Sequence, residues 1–310
     1  VSAGTIIVTG ADLAQQALEL LANFTIVYAG KTPTEDDLVA LARQHDPVAI
    51  IVRYGKVGPA VMDAAPSLKV ISKHGSGTDT IDKVAAKARG IEVVAAVGAN
   101  AAAVAEQALA LLLACAKSVV ELDARMHAGH WDKATHKSLE LGGRTVGLVG
   151  LGAIGLRFAK MADALGMRVI GFDPFAKNLP DYVQSVPLET LWRESDAVSL
   201  HCPLTEENRG MLNAETLAQC KRGVIVVNTA RGGLIDEAAL LEAVRSGQVM
   251  AAGLDSFAVE PMAPGHPFQG QKHFILSPHI GGVTSDAYVN MGVGAAKNLL
   301  AVLERAAAAA

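Results

Sequence analysis

Short aliphatic runs alternate with helix-period segments along almost the whole chain, and few folds accept that alternation. Thr5-Ile-Ile-Val-Thr reads as a strand, followed by a helix through Leu13, Ala17, Leu18 and Leu21. Phe24-Thr-Ile-Val-Tyr, Val48-Ala-Ile-Ile-Val, Lys69-Val-Ile-Ser and the stretch from Glu92 to Val97 read as further strands. Between them lie a helix capped by Thr34, a short helix before Pro66, and a helix from Asp82 to Ala88 closed by Gly90. Glu35, Asp36 and Asp37 fill the first turn after Thr34, where the helix dipole favours negative charge. A second series has strands at 145–150, 168–173, 197–201, 223–229, 250–255 and 273–277. Unbroken apolar strands are buried on both faces, and alternation with helices makes their sheets parallel. The expected class is α/β, with two units of similar build.

A long helical stretch from Ala101 to about Met126 separates the two series. Its first half is nearly all Ala and Leu, so it is expected to be buried, between domains. Residues 127–142 show no period and read as an irregular arm. The last helix, about Thr284 to Glu304, has no strand after it and is expected to return to the first unit; the alanines from Ala306 to Ala310 extend it without a function of their own. The expected division is 1–98 plus 284–310 for one domain and 99–283 for the other. A length of 310 residues suits two domains of ~100–200 residues each. Hydrophobic residues at 51% allow a sizeable core, and only 4% aromatics suits close helix–sheet packing.

A net charge of −4 without a long basic run argues against nucleic acid as a partner. The longest apolar stretch near the middle, Ala108 to Ala116, is too short for a bilayer span of ~20 residues. No basic leader with a cleavage pattern opens the chain, so neither membrane nor export is expected. Cys115, Cys202 and Cys220 are scattered, which fits a reducing, cytoplasmic setting and no disulfide framework. No metal-ligand spacing is present, and no metal is expected.

Gly150-Leu-Gly-Ala-Ile-Gly155 follows a strand and opens a helix. The first glycine allows a tight turn, the second lets a pyrophosphate approach the backbone, and the third lets helix pack on strand. Phosphate would then meet free N–H groups at the positive end of the helix dipole. Asp173, eighteen residues past Gly155, ends the next strand, where a carboxylate accepts from a ribose diol and repels a 2′-phosphate. The expected cofactor is NAD rather than NADP. A glycine-rich turn alone would be weak evidence; the strand, helix and acid around it carry the reading.

Three residues sit just past strand-like runs: Arg231 in Asn228-Thr-Ala-Arg-Gly-Gly, Glu260 in Val259-Glu-Pro, and His279 in Ser277-Pro-His-Ile-Gly-Gly. In an open parallel sheet such endings face one crevice. Arginine holds a carboxylate by two parallel hydrogen bonds. An imidazole beside a carboxylate is stabilised in its charged form and can protonate a carbonyl. Taken singly, each has a bland reading: a turn arginine, a turn or helix acid, a core histidine. Gly75-Ser-Gly77-Thr-Asp-Thr-Ile-Asp is either an anion nest or a helix-start turn with Asp79 or Thr80 as cap. Arg53, Lys73 and His74 end the flanking strands and add positive charge there.

Together these segments resemble the D-2-hydroxyacid dehydrogenase family, particularly its D-3-phosphoglycerate dehydrogenase-like branch without a regulatory domain. The resemblance is carried by Gly75 to Asp82, Asn100-Ala-Ala-Ala-Val-Ala-Glu106, the glycine loop with Asp173, His201-Cys-Pro-Leu-Thr, Asn228 to Asp236, Asp255 to Pro261 and Ser277 to Gly282, in family order. It implies two Rossmann/flavodoxin-like domains with NAD in the interdomain cleft, the domain at 99–283 holding the cofactor and the other the substrate. It implies that Gly150, Gly152, Ala153, Ile154, Gly155, Asp173, His201, Pro203, Thr229 and Asp255 bind the cofactor. It further implies that Arg231 binds the substrate's carboxylate and keto oxygen, that His279 moves the proton, and that Glu260 orients His279. Ser76 and Gly77 would offer N–H groups to the carboxylate, while Arg53 and Lys73 would serve the substrate's tail, Arg53 standing where that branch binds a phosphate. A homodimer through the NAD-binding domain is implied, with the arm at 127–142 matching the dimerising region.

The expected activity is NAD-dependent interconversion of a D-2-hydroxy acid and its 2-keto acid. Tyr54-Gly55 and Lys73-His74 depart from the phosphoglycerate pattern, which leaves hydroxypyruvate or glyoxylate reduction as an alternative. Glu260 argues against the formate dehydrogenase branch, which carries glutamine there. An NAD-sensing, corepressor-like binding protein is the alternative of another class, since fold alone does not fix function.

Overall fold

The computed structural model describes residues 3–308. The chain divides into two compact units, Val1–Asn100 with Val283–Ala310, and Ala101–Gly282. The first runs β1 (Thr5–Val8), α1 (Gln15–Leu20), β2 (Thr25–Tyr28), α2 (Glu35–His45), β3 (Ala49–Val52), α3 (Pro59–Asp63), β4 (Val70–Lys73), α4 (Lys83–Ala88) and β5 (Glu92–Ala95). The second runs α5 (Ala101–Lys117), α6 (Val119–His127), β6 (Thr145–Val149), α7 (Ala153–Ala164), β7 (Arg168–Phe172), β8 (Val183–Ser185), α8 (Leu188–Glu194), β9 (Ala197–Leu200), α9 (Ala214–Gln219), β10 (Val224–Asn228), α10 (Glu237–Arg245), β11 (Val249–Leu254) and β12 (Phe274–Leu276). The last helix, α11 (Ser285–Ala308), belongs to the first unit.

Among the described residues the first unit has a five-stranded sheet in the order β2-β1-β3-β4-β5, and the second a seven-stranded sheet in the order β12-β11-β10-β9-β6-β7-β8. Every strand pair in both sheets is parallel. The first order is flavodoxin-like and the second is the Rossmann order with one added strand. Each sheet has one switch point, where the chain turns back across its starting strand: β1 beside β3 in the first unit, β6 beside β9 in the second.

Strand periodicity decides which face each side chain covers. Ile6 and Val8 point to one face of β1, where they meet Ala17, Leu21, Ala295, Ala296 and Leu299. Ile7 points to the other face, with Leu38, Ala42 and Val61. In the second unit Val224 and Val226 join the layer of Leu240 and Phe268, while Ile225 and Val227 face Leu111, Leu112 and Phe158. Both faces of both sheets are thus covered, which is why the strands read as near-continuous aliphatic runs.

The structure corrects three local readings. The helix expected from Ala101 to Met126 is broken at Ser118, whose φ of 51° lies in the left-handed region. The two pieces meet at a bend of 61°. Upstream of the break α5 buries Ala105, Ala108, Leu112 and Cys115, whereas α6 buries none of its residues. Packing against β10, β11 and α7 therefore ends where the apolar stripe ends, and no glycine or proline marks the place. The cap of α4 is Asp82, which accepts from the Ala85 N–H at 2.8 Å, and not Asp79 or Thr80. The edge strand β8, three residues long, has too little pattern to be seen in advance. At α2 the Thr34 cap is reciprocal: its side chain accepts from the Asp37 N–H, and the Asp37 carboxylate accepts from the Thr34 N–H. Residues 309 and 310, the end of the alanine run, lie outside the described residues. No single helix among the described residues is long and apolar enough to cross a membrane.

Candidate active site

The glycine loop lies at the switch point of the second sheet, between the end of β6 and the start of α7. Gly150 has φ of +97°, and a methyl there would lie 2.7 Å from the His201 carbonyl. A methyl on Gly155 would lie 2.2 Å from the Gly150 carbonyl oxygen, so only glycine lets α7 start this close to β6. Gly152, the cap position of α7, has open space at its missing side chain. That is the arrangement a pyrophosphate needs: backbone approach without obstruction, in front of a twelve-residue helix. Ala153 and Ile154 form the first turn of that helix.

Asp173 follows β7 and is half-buried. One carboxylate oxygen accepts from the Leu151 N–H at 2.8 Å and the other from the Phe175 N–H at 2.9 Å. It therefore braces the glycine loop. His201 follows β9 across the switch point. Its N–H bonds to the Val149 carbonyl at 2.7 Å, its Nε2 pairs with Ser199 Oγ at 2.9 Å, and its ring lies 5.2 Å from that of Phe158. Burial pushes its pKa down to about 4, so the ring is neutral at pH 7. The buried Nδ1 of His201 and Oγ1 of Thr229 have no hydrogen-bond partner among the described residues. Pro203 is exposed beside them, and the Asn208 side chain donates to its carbonyl at 2.7 Å. Unpaired buried polar atoms beside an open glycine turn fit a dinucleotide.

Arg231, Glu260 and His279 follow β10, β11 and β12, which are neighbours in the sheet. Arg231 leaves the turn after β10, and its Nη1 donates to the Ala230 carbonyl at 2.8 Å. Asn228, fully buried, staples this turn: its side chain accepts from the Ala230 N–H at 3.0 Å and donates to the Arg231 carbonyl at 2.9 Å. Glu260 and His279 are brought into contact. One Glu260 oxygen accepts from the Phe257 N–H at 2.9 Å, and the other lies 2.7 Å from His279 Nδ1. A carboxylate at Nδ1 selects the ring form that is protonated there, which leaves Nε2 to exchange a proton with a ligand.

His279 has φ of 54°, unusual for a residue with a side chain. Asp255 imposes it. This buried carboxylate accepts from Ser277 Oγ at 2.6 Å, the Ile280 N–H at 2.9 Å and the Gly281 N–H at 2.7 Å, so it grips the loop on both sides of His279. Gln107 adds a bond to Ser277 Oγ at 3.1 Å. Sequence reasoning missed the stapling by Asn228 and the grip of Asp255, which it gave to the cofactor alone. A polar residue closing an apolar strand was the signal available at both positions.

In the first unit, Gly75, Ser76 and Gly77 follow β4, and Gly75 takes φ of 132°. Ser76 Oγ accepts from the Gly98 N–H at 3.2 Å. Arg53 follows β3 and is paired to the Asp12 side chain. Lys73 donates to the Arg53 carbonyl at 3.1 Å.

A dinucleotide loop and a carboxylate–imidazole pair on the carboxyl edge of one sheet define an oxidoreductase of the nicotinamide-dependent kind. Residues 109–281 match the model of the D-isomer specific 2-hydroxyacid dehydrogenase family, NAD-binding domain. A hydroxypyruvate reductase of Thermotoga maritima is 42% identical over 84% of this chain and 85% of its own. A D-3-phosphoglycerate dehydrogenase of Archaeoglobus fulgidus is 41% identical over 81% of this chain and 49% of its own, so the chain spans about half the length of such relatives. The crystal structure of the TT0316 protein from Thermus thermophilus superposes with a TM-score of 0.90, at 39% identity over 97% of each chain. The chain belongs to the D-2-hydroxyacid dehydrogenase family, oxidoreductases that use NAD and act on CH–OH groups.

Proposed function

We propose that this chain interconverts a small D-2-hydroxy acid and its 2-keto acid, with Arg231, Glu260 and His279 as its catalytic set. The contact between Glu260 and His279 Nδ1, at 2.7 Å, carries the reading. NAD bound at the glycine loop supplies the hydride acceptor or donor for the substrate carbon. Arg231 offers paired N–H donors to the substrate carboxylate and fixes its plane. His279, through Nε2, gives its proton to the carbonyl oxygen in reduction and takes it from the hydroxyl in oxidation. Glu260 keeps the ring oriented and balances its charge. In the first unit, Ser76 and Gly77 are assigned to the substrate carboxylate as backbone N–H donors, and Arg53 with Lys73 to its tail.

The proposal extends to assembly and setting. α6 leaves Val119, Val120 and Met126 exposed, and the arm after it exposes Trp131. An apolar strip of this kind is suited to a second copy, which supports a homodimer through the second unit. Light scattering in solution measures it directly. The cysteines are unpaired, and burial pushes the pKa values of Cys115, Cys202 and Cys220 up to about 12, 11 and 11. Inert, reduced thiols support a cytoplasmic location.

The catalytic reading is tested by NADH and NADPH oxidation over a panel of 2-keto acids, for wild type and Arg231→Ala. The expected outcome is NADH-dependent turnover that falls by roughly 10²-fold or more in the variant, the loss of a charge-assisted bidentate contact at the reacting group. Comparable turnover in both proteins would remove Arg231 from the mechanism.

A further inference from the structure

Arg53 stands at the switch point of the first sheet, where the connections leaving the adjacent strands β1 and β3 part to opposite faces, and that is the place where an open α/β sheet takes a ligand. A cation there invites an anionic group. Its charge is already answered. Nη1 donates to the Asp12 carboxylate, and also to the Asp12 main-chain carbonyl at 2.6 Å. Tyr288 donates its hydroxyl to the same Asp12 oxygen at 3.0 Å. The guanidinium carbon lies 5.0 Å from the centre of the Tyr288 ring and 5.4 Å from that of Tyr54, so aromatic faces flank it. Its backbone is fixed as well, because Thr9 Oγ1 accepts from the N–H groups of Arg53 and Tyr54. Within the pair Asp12 is the outward partner: its side chain is 67% exposed and that of Arg53 is 12%. Hydrogen bonds from Arg53 and Tyr288 hold the Asp12 carboxyl below its ordinary range, so it is ionised at neutral pH.

We propose that Asp12, latched to Arg53 and Tyr288, is a specificity-determining residue that turns the switch-point cation into a neutral pair and directs this chain to 2-keto acids without a phosphate. A phosphate monoester carries about −1.5 to −2 charges at pH 7. To reach Arg53 it must approach an exposed carboxylate and displace it from the guanidinium. An uncharged hydroxymethyl or hydrogen tail meets no such opposition. Discrimination comes from the repulsive element rather than from an added attraction. The inference rests on the dehydrogenase reading above and on Arg53 lying beside the substrate's tail.

The test compares kcat/KM for hydroxypyruvate and 3-phosphohydroxypyruvate with NADH, in wild type, Asp12→Asn and Tyr288→Phe. Wild type is expected to favour hydroxypyruvate. Asp12→Asn keeps the shape and removes the charge, and is expected to shift the ratio toward the phosphorylated acid by about tenfold or more. Tyr288→Phe loosens the latch and is expected to shift it in the same direction by less. Inorganic phosphate is the second probe: it should inhibit Asp12→Asn competitively at concentrations that leave wild type unaffected. A wild-type preference for the phosphorylated acid, or a ratio and phosphate sensitivity unchanged in Asp12→Asn, overturns the inference and leaves the dehydrogenase reading intact. Absence of turnover with every 2-keto acid of the panel removes that reading, and the inference with it.

Discussion

His74 shows at the scale of one residue how the fold changes a side chain's chemistry. It follows β4, is 8% exposed, and its Nε2 has no hydrogen-bond partner among the described residues. Its ring lies 5.7 Å from Tyr288. Burial first, then the charges of Arg53 and Lys73, push its pKa from 6.5 down to about 4, against opposing pulls from a backbone hydrogen bond and, more weakly, from Asp12. In the unfolded chain the ring takes a proton near 6.5, and in the folded chain near 4. Between those values the unfolded state binds more protons, so stability falls as pH falls through this window. Lowering the pH from 7 to 5 should cost about 2 kcal/mol through this group alone. Urea unfolding at both pH values should show that loss in wild type, and a correspondingly smaller loss in His74→Phe. Sequence marked His74 only as a charge near a glycine turn; its neutral state is set by neighbours from β3 and α11 that no local pattern names.

At the scale of the element, strand endings and glycines carry the site. The glycine loop takes its shape because β6, α7 and the turn after β9 approach one another to backbone contact. Gly155→Ala would set a methyl 2.2 Å from the Gly150 carbonyl oxygen, which cannot move without shifting β6. The expected outcome is a weaker NAD complex, by roughly tenfold or more in Kd by calorimetry, since displaced N–H donors lose the phosphate. These features were legible beforehand, because a strand, three spaced glycines and a terminal acid follow one another in a short stretch. The Glu260–His279 contact was legible only as a shared position past successive strands. Its geometry depends on Asp255 gripping the turn that holds His279, and that grip spans residues far apart in sequence.

For the whole molecule, the notable element is α11, which closes the chain but belongs to the first unit. Ala295, Ala296, Leu299 and Val302 pack with Ile6, Val8, Ala17 and Leu21. Asn298 donates to the Ala95 carbonyl at 2.8 Å, and Arg305 pairs with Glu92. One outer layer of the first sheet is thus supplied in part by a helix that follows the second unit in sequence. Leu299→Ala should destabilise that unit by about 2–5 kcal/mol, the cost of a large-to-small change at a fully buried site. Trp131 and Trp192, the chain's two tryptophans, both lie in the second unit. Far-UV dichroism of the variant should therefore melt at a lower temperature than its tryptophan fluorescence. Coincident transitions at the wild-type temperature would show that α11 contributes little.

Chain order alone determined the α/β class, the parallel sheets, the place of the glycine loop and the three residues proposed for catalysis, because each rests on local information: a period, a turn residue, or a side chain just past a strand. Tertiary structure decided where the long helix breaks at Ser118, which face each strand gives to which helix, and how Asp255 shapes the turn at His279. It also decided that Arg53 meets Asp12 and Tyr288, three residues from separate parts of the chain. Their interaction depends on distance and solvent exclusion, which arise only after distant segments have packed.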